Sequence, residues 1–490
     1  MPVTPYRANL LQDHKELYQL LSASKQRAIE KDCPQILSIS QEIQPLDPLA
    51  VLQAIAKPNH LQFYLEKGSK NESIAAIDAI DFIKIEGINR FKEAQFFIQS
   101  CLRNSISDGD LNSPFSGIHF FCSFTFYNKN PTINSPFPAA TVFLPRWQVS
   151  RRKNSCVLVA NVKITSKINP EFIVESLCKK LKLISWYGCR TAPSADNHHH
   201  HVVKQSSNSA EHFKLSVSSA LKSIQANQLK KIVLASAIDV VSPSPFNLIN
   251  SLEKLRKSYP GCNVFSTSNG KGQNFIGASP ERLIRICNHQ LETDALAGSA
   301  PRGKTTTEDA ALAYRLLSSE KERREHRFVL DFIAERLSQL GLTPQMLPIP
   351  QLLKLSNIQH LWTPIQAQLP VDLHPLEIVA KLHPTPAVAG VPTKIAEEQI
   401  LALETFDRSL YAAPLGWVDH QGNCEFIVGI RSALIDTEKP SGHTYTDLPC
   451  DPEAYRARLY AGAGIVAGSD PNKELAEVQL KLQALLKALL

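Results

Sequence analysis

The run KKIVLASAIDVV (230–241) constrains the fold more than any other stretch of the chain. Its β-branched composition marks a strand, and period-two alternation puts Lys231, Val233 and Ala235 on one face, with Ile232 and Leu234 on the other. A cationic side chain thus shares a face with small apolar ones. From about residue 210 to the C-terminus, strands of this kind alternate with long amphipathic helices.

Two further strands have informative interruptions. NFIGASPERLIRI (274–286) is broken by Gly and Pro just before Glu281, which predicts a turn there. EFIVGIRSALI (425–435) reads as one strand, with Phe426, Val428, Ile430 and Leu434 on a core face and Gly429, Arg431 and Ala433 opposite. A long Arg flanked by Gly and Ala is expected to project into a cavity.

Two helices are well punctuated. In SSEKERREHRFVLDFIAERLSQLG, Ser319 is the expected N-cap, Glu322 follows at capping-box spacing, and Gly341 ends the helix. Glu325, Val329, Phe332 and Ile333 lie at i, i+4, i+7 and i+8, so Glu325 heads the apolar stripe. The final helix begins at Ser469 or Asp470 with Pro471 in its first turn. Its apolar stripe is Leu475, Val478, Leu482, Leu485 and Leu489, beside a second stripe of Glu474, Glu477 and Lys481.

Upstream, residues 1 to about 150 mix short helical patterns with strands such as HLQFYLEK and GIHFFCSFTFY, and no chemistry declares itself. A polar stretch near 191–210 is the expected hinge. It divides the chain into an N-terminal part, 1–205, and a region 206–490 that carries the motifs.

Composition narrows the function. With 43% hydrophobic and 20% charged residues the chain is globular, and its 53 basic and 46 acidic residues are interspersed. No basic block predicts a nucleic-acid partner, whereas a small anionic ligand suits this balance. No apolar leader or stretch of about 18 apolar residues is present, so a cytoplasmic protein without a membrane partner is expected. Ten cysteines occur singly without a CxxC, the pattern of reduced thiols. The run His198–His201 could ligate a metal, but its surroundings have the composition of a polar loop. The sequence sets no oligomeric state, and a monomer is compatible with it.

Glu322 with Glu325, and Glu474 with Glu477, are like charges at i, i+3, a spacing that is unfavourable unless a cation lies between them. Carboxylate oxygens without Cys or paired His suit a hard cation such as Mg²⁺. The plainer alternatives are a solvated helix face for Glu474 and Glu477 and a capping box for Glu322. Lys231 fits a general base whose pKa burial would depress, or a snorkelling strand-end Lys. Glu281 fits a buried general acid or an ordinary turn carboxylate. His360, in NIQHLWTPI, fits a site residue or a satisfied core His.

Taken in order, KIVLAS, FIGASPERL, DALAGSAPRG, KERREH, NIQHLWTPI, LHPTPAVAGVP, FDRSLYAAPLGW, EFIVGIRSAL and YAGAGIVAGSDPNKELAEVQLK closely resemble the chorismate-utilising enzymes, isochorismate synthases above all. The resemblance is dense over about 210–490. It implies one large α/β unit of the α+β type, with two packed antiparallel sheets, outer helices and a site between the halves. It also implies Lys231 as the base that activates water, and Glu281 as the acid that protonates the departing ring hydroxyl. Glu325 and Glu477 would hold Mg²⁺, with Glu322 and Glu474 one water further out. Gly298, Ser299, His360, Ala387, Tyr411, Arg431, Gly462, Gly464 and Lys481 would line the chorismate site.

The chemistry is coherent, since chorismate is a dicarboxylate and Arg431 is a natural bidentate partner for one of its carboxylates. Water is a poor nucleophile and hydroxyl a poor leaving group, so an acid and a base are both required. Two departures from the family pattern are Ser236, where many relatives have Arg, and Ala413, where many have Gly. By resemblance, ammonia-using relatives lack the lysine at 231, and salicylate-forming ones tend to carry Thr at the positions of Ala387 and Ser299. The lysine here points to water as the nucleophile, and Ala387 and Ser299 both favour a chain that stops at isochorismate. A salicylate synthase and a catalytically silent chorismate binder remain the alternatives.

Overall fold

In the computed structural model, which describes residues 11, 13–129, 135–188, 209–355, 358–439 and 454–489, KKIVLASAIDVV forms the strand Lys231–Ser242. It pairs antiparallel with Tyr455–Val466 along its whole length, Gly464 opposite Val233 and Gly462 opposite Ala235. Residues directly opposite one another share a face. The face that carries Lys231 is therefore a trough floored by small side chains and two glycines.

From this pair one arm of sheet runs through Ser432–Asp436, Gln273–Ser279, Asn263–Ser268, Gln62–Lys67 and Glu72–Ile85 to Ala140–Arg152. A second arm starts at the first residues of Ala140–Arg152 and runs through His119–Phe124, Pro414–Asp419, Cys424–Val428, Arg282–Cys287 and Gln290–Pro301 to Ile358–Gln368. The two expected sheets are thus two hydrogen-bonded arms sharing one strand. Their apolar faces meet: the rings of Phe63 on one arm and Phe121 on the other lie 5.1 Å apart. Among the described strands one pair is parallel, Gln35–Ile43 with Ser105–Gly109.

Strands from before and after the expected hinge pair with each other in both arms, Gln62–Lys67 with Asn263–Ser268 and His119–Phe124 with Pro414–Asp419. The hinge up to residue 208, with His198–His201, lies outside the described residues.

The chain crosses between the arms at two places that matter for function. GASPER splits as expected, into Gln273–Ser279 on one arm and Arg282–Cys287 on the other, leaving Pro280 and Glu281 in the crossing. EFIVGIRSALI does not form the single strand its alternation suggests. It divides into Cys424–Val428 and Ser432–Asp436 on different arms. Gly429 N–H donates to the Ala413 carbonyl and Ile430 N–H to that of Val428, while Arg431 takes a left-handed φ of +50°. Period-two alternation ends at that turn, so Ile430 and Arg431 both reach the cavity described below.

Both expected helices form. Glu320–Gln339 is capped by Ser319 Oγ, which accepts Glu322 N–H at 3.3 Å, and it buries Val329 and Ile333. Gly341, at φ +77°, follows its end, as a helix C-terminus favours. Pro471–Leu489 is capped by Asp470, whose Oδ1 accepts from Asn472 and Lys473 N–H, and it buries Val478, Leu482, Leu485 and Leu489. Among the described residues no helix is long and apolar enough to cross a membrane, and all eight described cysteines are free.

Candidate active site

The trough beside Lys231 opens into a cavity of about 800 Å³, counting its mouth, where the two arms diverge. Each element contributes for a local reason. The Lys231 strand and its glycine-bearing partner form the floor, and the two arm crossings supply Glu281 and Arg431. Helix Glu320–Gln339 lends Glu325, and the final helix lends Glu477 and Lys481. Gly298, Ser299, His360, Ala387 and Tyr411 also line the wall. The structure thus brings thirteen of the fifteen expected site residues to one cavity, Gly462 and Gly464 among them, leaving Glu322 and Glu474 outside its lining.

Lys231 is 1% exposed, and its Nζ lies 2.9 Å from Glu325 Oε1. Strand periodicity does not foretell this ion pair, because Glu325 sits on a helix far away in sequence. Gly464 makes room for it, because a Cβ there would sit 2.6 Å from Glu325 Oε1 and 3.4 Å from Lys231 Cε. Gly462 likewise clears space for the Tyr411 hydroxyl, which would be 2.8 Å from an added Cβ.

Glu281 is buried in the crossing, its backbone held by Ser279 Oγ and by Val428 N–H. Burial pushes its carboxyl up to about 7, with the Lys231 charge opposing and that of Asp294 adding to the rise. A carboxyl group in this state can hold a proton near neutral pH and give it up.

A hydrogen-bonded chain runs along the opposite wall. Gly298, at φ +78°, interrupts the ladder between Gln290–Pro301 and Ile358–Gln368, and Ser299 then lies opposite His360. His360 Nδ1 is 2.8 Å from Ser299 Oγ, and its Nε2 is 3.3 Å from Arg431 Nη2. Burial, then the Arg431 and Lys481 charges, lowers the His360 pKa to about 3, so the ring is neutral. A guanidinium can only donate, so Nε2 accepts and the ring proton is assigned to Nδ1, which donates to Ser299. The Ser299 O–H is thereby left to donate elsewhere. Among the described residues Arg431 has no acidic partner within ion-pair distance, leaving its fork available to a carboxylate.

The four glutamates divide into two inner and two outer groups. Glu477 pairs with Lys481 at 2.7 Å, and Lys481 also donates to the Gly462 carbonyl at 2.9 Å. Glu322 accepts the Ser299 N–H at 3.1 Å, so its carboxylate braces the bulge and does not close a capping box. Glu474 lies 3.6 Å from Lys321. Burial, and after it charges that include Glu325 and Glu477, raises the pKa of both Glu322 and Glu474. Among the described residues no three His, Cys, Asp or Glu side chains form a ready metal cage. Two inner carboxylates with a second pair behind them nevertheless fit Mg²⁺, which takes one or two protein carboxylates and fills its octahedron with water and anionic substrate.

Sequence reasoning missed Ile430 in the cavity wall and a buried pair behind it, Arg408 with Glu404. The first was hidden by the false strand continuity. The second lies between regular elements, where no periodicity reports burial. Of the two family departures, Ala413 is not among the residues with positive φ, so its methyl causes no backbone strain, and Ser236 is buried in its strand outside the cavity lining.

A cavity between the two antiparallel arms, lined by a buried carboxyl group, a buried lysine, two further carboxylates and an arginine with no acidic partner among the described residues, is a pocket suited to a small carboxylated ligand. The chorismate binding enzyme family matches residues 22–490, and the chain belongs to that family. The salicylate biosynthesis isochorismate synthase of Pseudomonas aeruginosa is 38% identical over 275 residues, 56% of this chain and 53% of that protein. The match thus spans about half the length of that relative. Isochorismate synthase DhbC of Bacillus subtilis is 35% identical over 286 residues, 57% of this chain and 68% of that protein. The solved structure of MenF, the menaquinone-specific isochorismate synthase from Escherichia coli, is similar with a TM-score of 0.74 at 25% identity, covering 96% of this chain and 100% of that one.

Proposed function

We propose that this protein is a Mg²⁺-dependent isochorismate synthase that interconverts chorismate and isochorismate. The observation that carries the proposal is one cavity holding a buried carboxyl that titrates near neutrality, a buried lysine and an arginine with no acidic partner among the described residues. The names of its relatives agree with it. Arg431 takes one substrate carboxylate in a bidentate contact, and the Ser299 hydroxyl, oriented by His360, donates to the substrate beside it. Lys231, once the ammonium of its Glu325 pair has lost its proton, removes a proton from the attacking water as the water oxygen bonds to the ring. Glu281 protonates the departing hydroxyl, which leaves as water, so atoms and charge balance. Glu325 and Glu477 would hold Mg²⁺, which when bound supplies positive charge for the ring carboxylate. The protein acts in the cytoplasm.

The direct test is incubation of the purified protein with chorismate, with and without Mg²⁺, and chromatographic separation of isochorismate, salicylate and anthranilate. Isochorismate is the expected product. Turnover should vanish in EDTA and return with Mg²⁺, and Glu325→Gln should be folded and inactive, because an amide oxygen does not replace the lost charge. Full activity in EDTA overturns the metal assignment.

Gly464 allows a milder test. In Gly464→Ala the added methyl displaces only the end of a flexible side chain, so the protein should still fold, with a melting temperature lowered by the loosened Lys231–Glu325 pair. The Glu325 carboxylate must swing from Lys231, and kcat/KM should fall about tenfold or more. Unchanged kinetics would show that the ion pair's placement is immaterial.

A further inference from the structure

Behind the cavity wall lies an ion pair with no part in the chemistry proposed above. Arg408 is wholly buried and clasps Glu404, with Nη2 to Oε1 at 2.6 Å and Nε to Oε2 at 2.8 Å. Its other hydrogen bonds go to the backs of cavity-lining residues. Nη2 donates to the Val233 carbonyl and Nη1 to the Val388 carbonyl, both at 2.9 Å. Glu404 Oε1 accepts the Ala235 N–H at 2.8 Å.

The two side chains stand where a neighbouring strand has run out. The short strand Gly390–Val391 pairs with Ile232 and Lys231, and the Ala389 carbonyl accepts Val233 N–H at 2.7 Å. Beyond that point the edge of the Lys231 strand is completed by Arg408 and Glu404. Buried backbone groups require partners, so this pair sustains the strand where it floors the site. The guanidinium also lies 5.7 Å from the Tyr411 ring, whose hydroxyl end abuts Gly462.

A buried ion pair is a weak source of net stability, because desolvation offsets its attraction and apolar replacements often do as well. What a planar, five-donor fork offers here is fixed geometry to several acceptors at once, which a lysine does not reproduce. We propose that Arg408, seated on Glu404, is a positioning residue that holds Val233, Val388 and Tyr411 at the spacing needed to seat the substrate against Lys231. For its kinetic readout the inference rests on the chorismate activity proposed above.

Two variants test it. Arg408→Lys keeps the charge beside Glu404 but loses the fork. The double variant Glu404→Gln, Arg408→Gln removes both charges, so no uncompensated ion threatens folding. Both should melt cooperatively and exchange the Ala235 amide at least about tenfold faster than wild type. Their kcat for chorismate should fall about tenfold or more, a larger change than that in KM, as displaced reacting groups require. A folded variant with wild-type kcat and KM overturns the proposal, as does a lowered melting temperature with unaltered kinetics. If wild-type protein does not convert chorismate, the functional reading fails instead, and amide exchange alone decides the clamp: a still-protected Ala235 in both variants overturns it.

Discussion

Glu281→Gln is expected to bind chorismate and Mg²⁺ yet turn over at least about a hundredfold more slowly, the usual range for loss of a general acid. The amide keeps the size of the buried group and removes only its proton. In the wild-type protein that proton is available because burial pushes the carboxyl up to about 7 from an ordinary 4.5. The same shift sets two pH dependences. The proposed acid must be protonated to act, so wild-type kcat/KM should fall as pH rises through about 7, and the variant's residual rate should lack that limb. The folded chain also holds this proton more tightly than the unfolded chain. The stability tied to it is complete below about 4.5 and is lost as pH climbs through about 7, so Glu281→Gln should flatten the melting temperature over that window. Activity within a few fold of wild type would reassign Glu281 to a structural role.

What the sequence disclosed follows from which physical signals are local. The Lys231 strand, its faces, both capped helices and the break before Glu281 were legible because β-branching, helical spacing, caps and Gly-Pro turns act within a few residues. Glu325 at the head of an apolar stripe was legible in the same way, but its contact with Lys231 was not, since strand and helix lie far apart in sequence. The break at Gly429–Arg431 was missed because both strands flanking it are apolar and happen to keep step in sequence. Only their separate pairings, with Arg282–Cys287 and with Gln273–Ser279, reveal that the chain changes arms there. The joining of the two sheets through Ala140–Arg152 was invisible for a similar reason, as an edge shared by two partners leaves no trace in alternation. The family resemblance was legible in ordered motifs, and the geometry adds what joins them: each of the nine supplies at least one residue to the wall of one cavity.

The identity of the nucleophile offers the sharpest test of the proposed reaction, because one lysine separates two chemistries. Reaction in ¹⁸O-water should place label in the new hydroxyl of isochorismate, and Lys231→Ala should lose that incorporation along with about a hundredfold or more of turnover. Lys231, 1% exposed, lies in a wall of small residues beside Gly464, where a water next to the substrate ring would be its proton source. Truncation to Ala also breaks the contact with Glu325. Lys231→Gln is therefore needed beside it: its amide can still donate to Glu325 but cannot take up a proton, so it too should lose the label. Recovery of exchange in the Gln variant would assign the lysine to holding Glu325 and not to activating water. With ammonium salts the wild-type protein should yield no anthranilate if the site selects water as its nucleophile. Efficient anthranilate formation, or unlabelled isochorismate, would overturn both the role of Lys231 and water as the nucleophile.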